Sequence, residues 1–276
     1  MLEHAANYDA RFQKTIDQLT SLLRAPSILS FINIPWLPES DSDTDTDTSP
    51  QHTLKLLDYA CGTGLITRAF LPYVSRAIGV DLSPEMVAVY NAHAHNQGLG
   101  REEMCGVVGN LLEGGEGRLE GDEEGNGEFF DFDVAVVGLG FHHFADARLA
   151  AKRLGERLKK GGVLVVVDFE SHEPVHGGGH GHSHGHSHGH GHEHSKEKEE
   201  EQEADVSKQV KETITHHGFS EEEIRSIFED AGVGAEFGYR VLGKGIVFHG
   251  THGDGKGEGE RKEMRRGVFI ARGTKV

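Results

Sequence analysis

Residues 56–64, LLDYACGTG, place an acid and several small residues in one strand-to-helix turn. Asp58 closes an apolar run that holds Leu56 and Leu57. Ala60, Gly62 and Gly64 follow at alternate positions with Cys61 between them, and a helix-like segment begins at Leu65. Glycine has no Cβ, so such a turn lets a ligand lie against bare backbone. The helix start beyond it offers N–H groups with no partner inside the helix. The spacing selects the ligand. A dinucleotide turn, G-x-G-x-x-G, needs its third glycine where this chain has Leu65, which would hold strand and helix apart. The pattern acid-x-(G/A)-x-G-x-G is met instead by Asp58, Ala60, Gly62 and Gly64. The carboxylate at its head accepts hydrogen bonds from a cationic amino group and repels a phosphate.

These residues need a scaffold, and the hydrophobic rhythm supplies one. Strand-like runs at 54–58, 76–81, 103–109, 132–137 and 163–168 alternate with helix-like runs at 65–74, 84–97 and 145–160. Pro84 after Ser83 marks a capped helix start. Such a βαβα order predicts a parallel sheet covered on both faces. Ser220 with Glu223 forms a capping box ahead of Ile224, Ile227 and Phe228. Runs 237–248 and 267–272 then read as two strands joined by a Gly-rich loop. Ahead of the sheet, 2–24 carries Phe12, Ile16, Leu19, Leu22 and Leu23 at helical spacing. The organisation expected is an N-terminal helical lid over 1–38, an acidic flexible loop over 39–52, and a core over 53–276. A His-rich and charged insertion falls at about 171–210 of that core, and Gly/Glu-rich loops such as 113–128 interrupt it.

Asp58 to Gly64 resembles motif I of the class I S-adenosyl-L-methionine (SAM)-dependent methyltransferases, and DLSPEM at 81–86 resembles their second motif. The segment HAANYDARF at 4–12 is similar to the N-terminus of the ubiquinone/menaquinone-biosynthesis type, which acts on small molecules. The resemblance implies an α/β fold with a doubly wound, seven-stranded, mostly parallel sheet, Rossmann-like, closed by a C-terminal antiparallel hairpin. It also implies SAM as cofactor and S-adenosyl-L-homocysteine as product. On this reading Asp58 faces the ammonium of SAM, and its methionine part lies on the turn of Ala60, Cys61, Gly62 and Gly64. Asp81, 23 residues after Asp58, accepts from the two ribose hydroxyls, as a carboxylate can. Leu82 and Met86 pack on the adenine, Asn110 accepts from its amino group, and Leu111 gives it a backbone N–H. Gly138 lies beside the cofactor, and Tyr8 donates to the SAM carboxylate.

A phenol, enol or carbon acid as methyl acceptor benefits from a general base, and histidine suits that task near neutral pH. His142–His143, beyond the fourth strand, and His216–His217, before the last helix, are the candidates. His143, His142 and His217 are assigned as site-lining catalytic residues, with His143 and His217 preferred. The run from His176 to His194, HGGGHGHSHGHSHGHGHEH, has the imidazoles for Zn or Ni but no fixed ligand geometry. It reads as a solvated loop with adventitious metal affinity, and no specific metal site is expected. A net charge of −17 disfavours nucleic acid. No apolar run is long enough for a membrane span, and no signal peptide or presequence pattern opens the chain. Neither of the two cysteines belongs to a CxxC pair, so a reducing, cytoplasmic setting is expected. A small-molecule acceptor is the expected partner. The alternatives are a protein or RNA methyltransferase, or a metal-binding, non-enzymatic protein that keeps the SAM-binding fold.

Overall fold

The structure is a computed structural model, and it describes residues 2–37, 53–112, 127–171, 216, 218–250 and 262–276. The acidic loop over 39–52 lies outside these residues, as does His217. The His-rich run, from His176 at its start to His194 at its end, and the charged tract after it also lie outside them, so the adventitious metal affinity expected there has no structural counterpart among the described residues. The same holds for nearly all of the loop expected over 113–128.

Seven strands form one sheet in the order β3-β2-β1-β4-β5-β7-β6. They are β1 (Lys55–Tyr59), β2 (Arg76–Asp81), β3 (Met104–Val108), β4 (Phe132–Gly138), β5 (Leu158–Phe169), β6 (Ala235–Gly250) and β7 (Lys262–Thr274). The first five run parallel, and β7 lies antiparallel to both β5 and β6. The helices are α1 (Leu2–Leu23), α2 (Pro26–Ile32), α3 (Leu65–Phe70), α4 (Pro84–Asn96), α5 (Ala147–Arg157) and, before β6, α6 (Glu221–Asp230). The chain order of β1 to β4 reverses the strand order between β1 and β4. Ligands of open parallel sheets bind at such a switch, beyond the carboxyl ends of the strands.

Strand periodicity explains the two covered faces. Leu56, Val134, Val136, Val163 and Val165 point to one side and pack with Ile66 and Phe70 of α3. Leu57, Ala135, Val137, Leu164 and Val166 point to the other, against Ala150 and Leu154 of α5 and Ile224 and Phe228 of α6. Successive strand residues alternate faces, so near-continuous apolar strands need helices on both. Helix α5 stops three residues short of the expected Lys160, because β5 begins at Leu158 and turns through Gly161 at φ +78°.

The N-terminal helices are only in part a cover. Helix α1 leaves helical geometry at Phe12 (φ −104°, ψ 16°). Beyond that point Ile16, Leu19 and Leu23, with Ile28 and Ile32 of α2, are core residues. Thr15 Oγ1 donates to the Val247 carbonyl, and the Val247 N–H donates to Gln18 Oε1 at 3.0 Å. Polar residues of α1 thus occupy hydrogen-bonding groups on the edge strand, which blunts it against pairing with another chain. No helix among the described residues is long and apolar enough to cross a membrane.

Candidate functional site

The turn after β1 owes its shape to left-handed backbone, which glycine adopts without strain. Ala60, Gly62 and Gly64 have φ of 55°, 53° and 92°. A Cβ on Gly62 would meet nothing within 4 Å, so one side of the turn is open. A Cβ on Gly64 would stand 2.9 Å from the Tyr90 ring of α4. Gly79 and Gly106 clear the same ring, at 2.6 and 2.9 Å. Three glycines on three elements therefore make a slot for one fully buried tyrosine. Sequence reasoning missed Tyr90; the signal was a glycine interrupting each of two apolar strands, Gly79 and Gly106, since strand glycines often mark close approach.

Asp58 is 1 % exposed. Its Oδ2 accepts from the Thr67 N–H (3.1 Å) and Thr67 Oγ1 (2.8 Å), and the Tyr90 hydroxyl donates to Thr67 Oγ1 at 3.0 Å. Its Oδ1 is buried without a partner. Burial pushes the carboxyl up to about 7, against the Thr67 hydrogen bonds and with help from the charge of Asp81. Asp81 ends β2, where Oδ2 accepts from the Gly62 N–H (2.8 Å) and Oδ1 from the Ser83 N–H (2.9 Å). Each oxygen keeps a second lone-pair direction. Ser83 Oγ, not Asp81, caps α4 by accepting from the Met86 N–H. Leu82 is 64 % exposed beside Asp81, and Val108, which pairs with Asp81 across β2 and β3, is also exposed. Met86 is half-buried in the first turn of α4.

The remaining expected cofactor residues have internal partners. Asn110 Oδ1 accepts from the Tyr59 hydroxyl (3.0 Å) and the Leu112 N–H (2.9 Å), and the Leu111 N–H donates to the Tyr59 hydroxyl at 3.3 Å. The groups expected to meet adenine thus hold the β3 loop onto the end of β1. Gly138 is required for packing, since a Cβ there would lie 2.1 Å from Ile66 Cγ1. Cys61 is buried in the turn, and its N–H donates to the Val80 carbonyl.

Tyr8 lies on the first segment of α1, its ring 4.6 Å from that of Phe12. Desolvation first, then the charges of Asp9 and Asp81, raise its phenol from the ordinary value. The residue is 40 % exposed, so this desolvation comes from atoms crowding around it rather than from full enclosure. Its neighbour Asp9, absent from the expected set, anchors the segment. Thr63 Oγ1 donates to Asp9 Oδ1 (2.5 Å), Arg68 Nη2 donates to Oδ2 (2.9 Å), and His93 Nε2 lies 3.0 Å from Oδ2.

On the other side of the switch, the loop after β4 passes over the glycine turn: a Cβ on Gly140 would stand 3.0 Å from that of Ala60. His142 is buried in this loop and faces Asp168 at the end of β5. His142 Nδ1 lies 2.8 Å from Asp168 Oδ1, and the His142 N–H donates to Oδ2 at 3.0 Å. The Phe169 N–H donates to Oδ1 at 2.7 Å. His143 is half-buried, its ring 4.1 Å from that of His142. The His216 N–H donates to the His142 carbonyl at 3.1 Å, and His216 Nε2 is buried without a partner. Asp168 also escaped sequence reasoning; its signal was an acid closing the apolar run 163–167. No group of three or more His, Cys, Asp or Glu suited to a metal occurs among the described residues, which do not include His176 to His194.

Comparison with known proteins places this geometry. Residues 57–164 match a methyltransferase domain family. An uncharacterized methyltransferase of Schizosaccharomyces pombe is 34 % identical over 118 residues, covering 42 % of this chain and 38 % of its own length. A ubiquinone biosynthesis O-methyltransferase of Azorhizobium caulinodans is 27 % identical over 117 residues, covering 42 % of this chain and 41 % of its own. The chain thus spans about two fifths of the curated relatives it matches. The crystal structure of YcgJ from Bacillus subtilis superposes with a TM-score of 0.51 over 81 % of this chain and 92 % of that one, at 16 % identity, a likeness of fold. Sequence and strand order agree: residues 57–164 resemble a methyltransferase domain, on a fold like that of YcgJ.

Proposed function

We propose that this protein transfers the methyl group of SAM to a small-molecule acceptor, with the cofactor held at the ends of β1, β2 and β3. One observation carries the reading: Asp58 Oδ1 is buried, unpartnered and beside an open glycine turn. A buried carboxylate oxygen without a donor costs free energy that a ligand ammonium would recover. Around it the residues fit the rest of the cofactor. Gly62 leaves backbone bare for the methionine part. Asp81 retains acceptor capacity for a diol, and Leu82 and Val108 offer apolar surface to an adenine. Tyr8 stands over the same end of the sheet on a segment held by Asp9. SAM supplies an electrophilic methyl group on a positively charged sulfur. The protein's task is to hold both partners and exclude water. The net charge of −17 favours a small acceptor over RNA.

Isothermal titration tests the reading. SAM is expected to bind the wild-type chain, and Asp81→Ala to weaken it by roughly 10- to 100-fold through loss of charge-assisted hydrogen bonds. Asp81→Asn separates ligand contact from loss of the Gly62 and Ser83 contacts, because its amide oxygen still accepts one N–H. Absence of binding at millimolar SAM overturns the proposal.

A further inference from the structure

We propose that cofactor loading is an exchange of cations: in the ligand-free protein Asp58 holds a proton, and the ammonium of SAM displaces it to solvent. This rests on the SAM-binding reading above. The geometry that carries it is a carboxyl anchored through one oxygen and bare at the other. Asp58 ends β1 at 1 % exposure. Its Oδ2 accepts from the Thr67 N–H and from Thr67 Oγ1. The second bond is set from behind, because the Tyr90 hydroxyl donates to Thr67 Oγ1 and leaves the Thr67 proton for Oδ2. Tyr90 is itself held, since Gly64, Gly79 and Gly106 stand against its ring. The carboxyl is thus fixed in one orientation, with Oδ1 buried and unpartnered. Asp81 offers no such oxygen, because each of its two accepts a backbone N–H.

The charges around Asp58 do not compensate it. Asp58 forms no ion pair among the described residues, and its two donors on Thr67 are neutral. Burial pushes the Cys61 thiol in the turn and the Tyr90 phenol on α4 well up, so both stay uncharged. Asp81, at the end of β2, adds a like charge. Beyond the turn, Asp9 is already shared by Arg68 and His93. A buried carboxylate with one bare oxygen and a like charge nearby costs more than the neutral acid. The direction of its titration agrees: burial first, then the Asp81 charge, lift the carboxyl to about 7 against the Thr67 hydrogen bonds. A ligand ammonium reverses the balance by bringing the opposite charge and N–H donors to Oδ1. The carboxyl O–H bond then breaks, its electron pair stays on oxygen, and the proton leaves to buffer. Because the ammonium pairs with the deprotonated form, affinity falls as pH falls. Well below pH 7 each unit weakens binding about tenfold.

Titration calorimetry at about pH 6, in buffers of different ionisation heat, counts the protons. The wild-type chain is expected to release close to one proton per SAM bound, and its Kd to rise about tenfold from about pH 6 to about pH 5. 5′-Methylthioadenosine keeps the adenosine and the sulfur but lacks the ammonium, and is expected to bind without release. Asp58→Asn is expected to bind SAM more weakly, with no release and with a Kd that is flat over the same range. Thr67→Val removes a hydrogen bond that favours the charged carboxyl, so the midpoint of the pH dependence is expected to move to higher pH. His93→Gln is expected to keep the release, which separates Asp58 from the Asp9 cluster. SAM binding without release in the wild type overturns the proposal, and the wild-type count stands whether or not a variant folds. Equal release by 5′-methylthioadenosine, release that survives Asp58→Asn, release lost in His93→Gln, or a midpoint that Thr67→Val leaves unmoved or lowers overturns it as well. Absence of SAM binding at millimolar concentration strikes the SAM-binding reading itself, an outcome distinct from binding without release.

Discussion

Two buried carboxylates end strands on either side of the switch, Asp58 on β1 and Asp168 on β5, and they differ in one respect. Asp168, at the end of β5, finds its partners within the chain, and both oxygens accept hydrogen bonds. Asp58, at the end of β1, satisfies one oxygen through Thr67 and leaves the other bare in the interior. The first carboxylate organises a neighbouring side chain. The second is incomplete until something cationic arrives. On the proposed reading a cationic ligand offsets that cost, because an unpaired buried oxygen lowers the stability of the empty state.

The comparison breaks most sharply at Asp58. Its carboxyl sits near 7 in the folded chain against 3.8 for the free side chain. Between those values the folded state holds a proton that the unfolded state has lost. Stability therefore falls as pH rises from about 4 to about 7, by on the order of 4 kcal/mol, and stays lowered above that. Asp58→Asn removes the titration. Urea unfolding at about pH 5 and about pH 8 should find the variant gaining on the wild type by up to that amount at the higher pH, while its SAM affinity drops about tenfold or more. A wild-type-minus-variant difference that does not change with pH would remove Asp58 from its incomplete role.

The same contrast explains what the sequence disclosed. The cofactor side is local: Asp58, Gly62 and Gly64 lie within one turn, so spacing alone points to their use. Asp81 is found by the same logic, at the end of the next strand. The loop after β4 and the end of β5 are assembled across distance. His142 and Asp168 meet only because β4 and β5 are neighbours, and 216–219 joins them from beyond a long insertion. Residue type drew attention to His142 and His143 alike, and nothing within their own segment reveals that His142 meets Asp168. Asn110 and Leu111 show a different limit of the sequence. Their positions match the motif, and Tyr59 engages both, a partnership that strand spacing does not reveal. Helix α1 divides in the same way, since its buried residues are periodic while its grip on the glycine turn depends on the single residue Asp9.

A smaller effect sharpens the distinction between the halves. Gly79→Ala would set a methyl 2.6–2.8 Å from the Tyr90 ring and Cys61 Sγ, and Tyr90 is walled by Gly64 and Gly106. The ring has no room to retreat, so overpacking should cost about 1–3 kcal/mol and loosen the turn proposed to meet SAM. Gly243→Ala in β6, whose new methyl meets only Ile246 Cδ1 at 3.7 Å, should stay within about 0.5 kcal/mol. Thermal unfolding of the two variants beside wild type checks the pair. Equal losses would mean that the Tyr90 slot is not a constraint.

The smallest effect concerns how the cofactor side is closed. Asp9 joins Thr63 of the glycine turn, Arg68 of α3 and His93 of α4 to one carboxylate, all beside the site proposed for SAM. The rest of α1 is tied elsewhere, through Thr15 and Gln18 to β6 and through Leu19 and Leu23 to the core. The break in helical geometry at Phe12 lies between these two sets of contacts. Asp9→Ala should therefore free the first segment without dislodging the second. The Arg68 and Asp9 side chains are 25 % and 16 % exposed, so water screens part of the loss, and about 1 kcal/mol is the expected scale. That amount corresponds to SAM leaving about five-fold faster in a stopped-flow chase, with acceptor KM unchanged. A larger rise in acceptor KM than in SAM dissociation would mean that the first segment of α1 closes over the acceptor instead, and that the two halves share one cover.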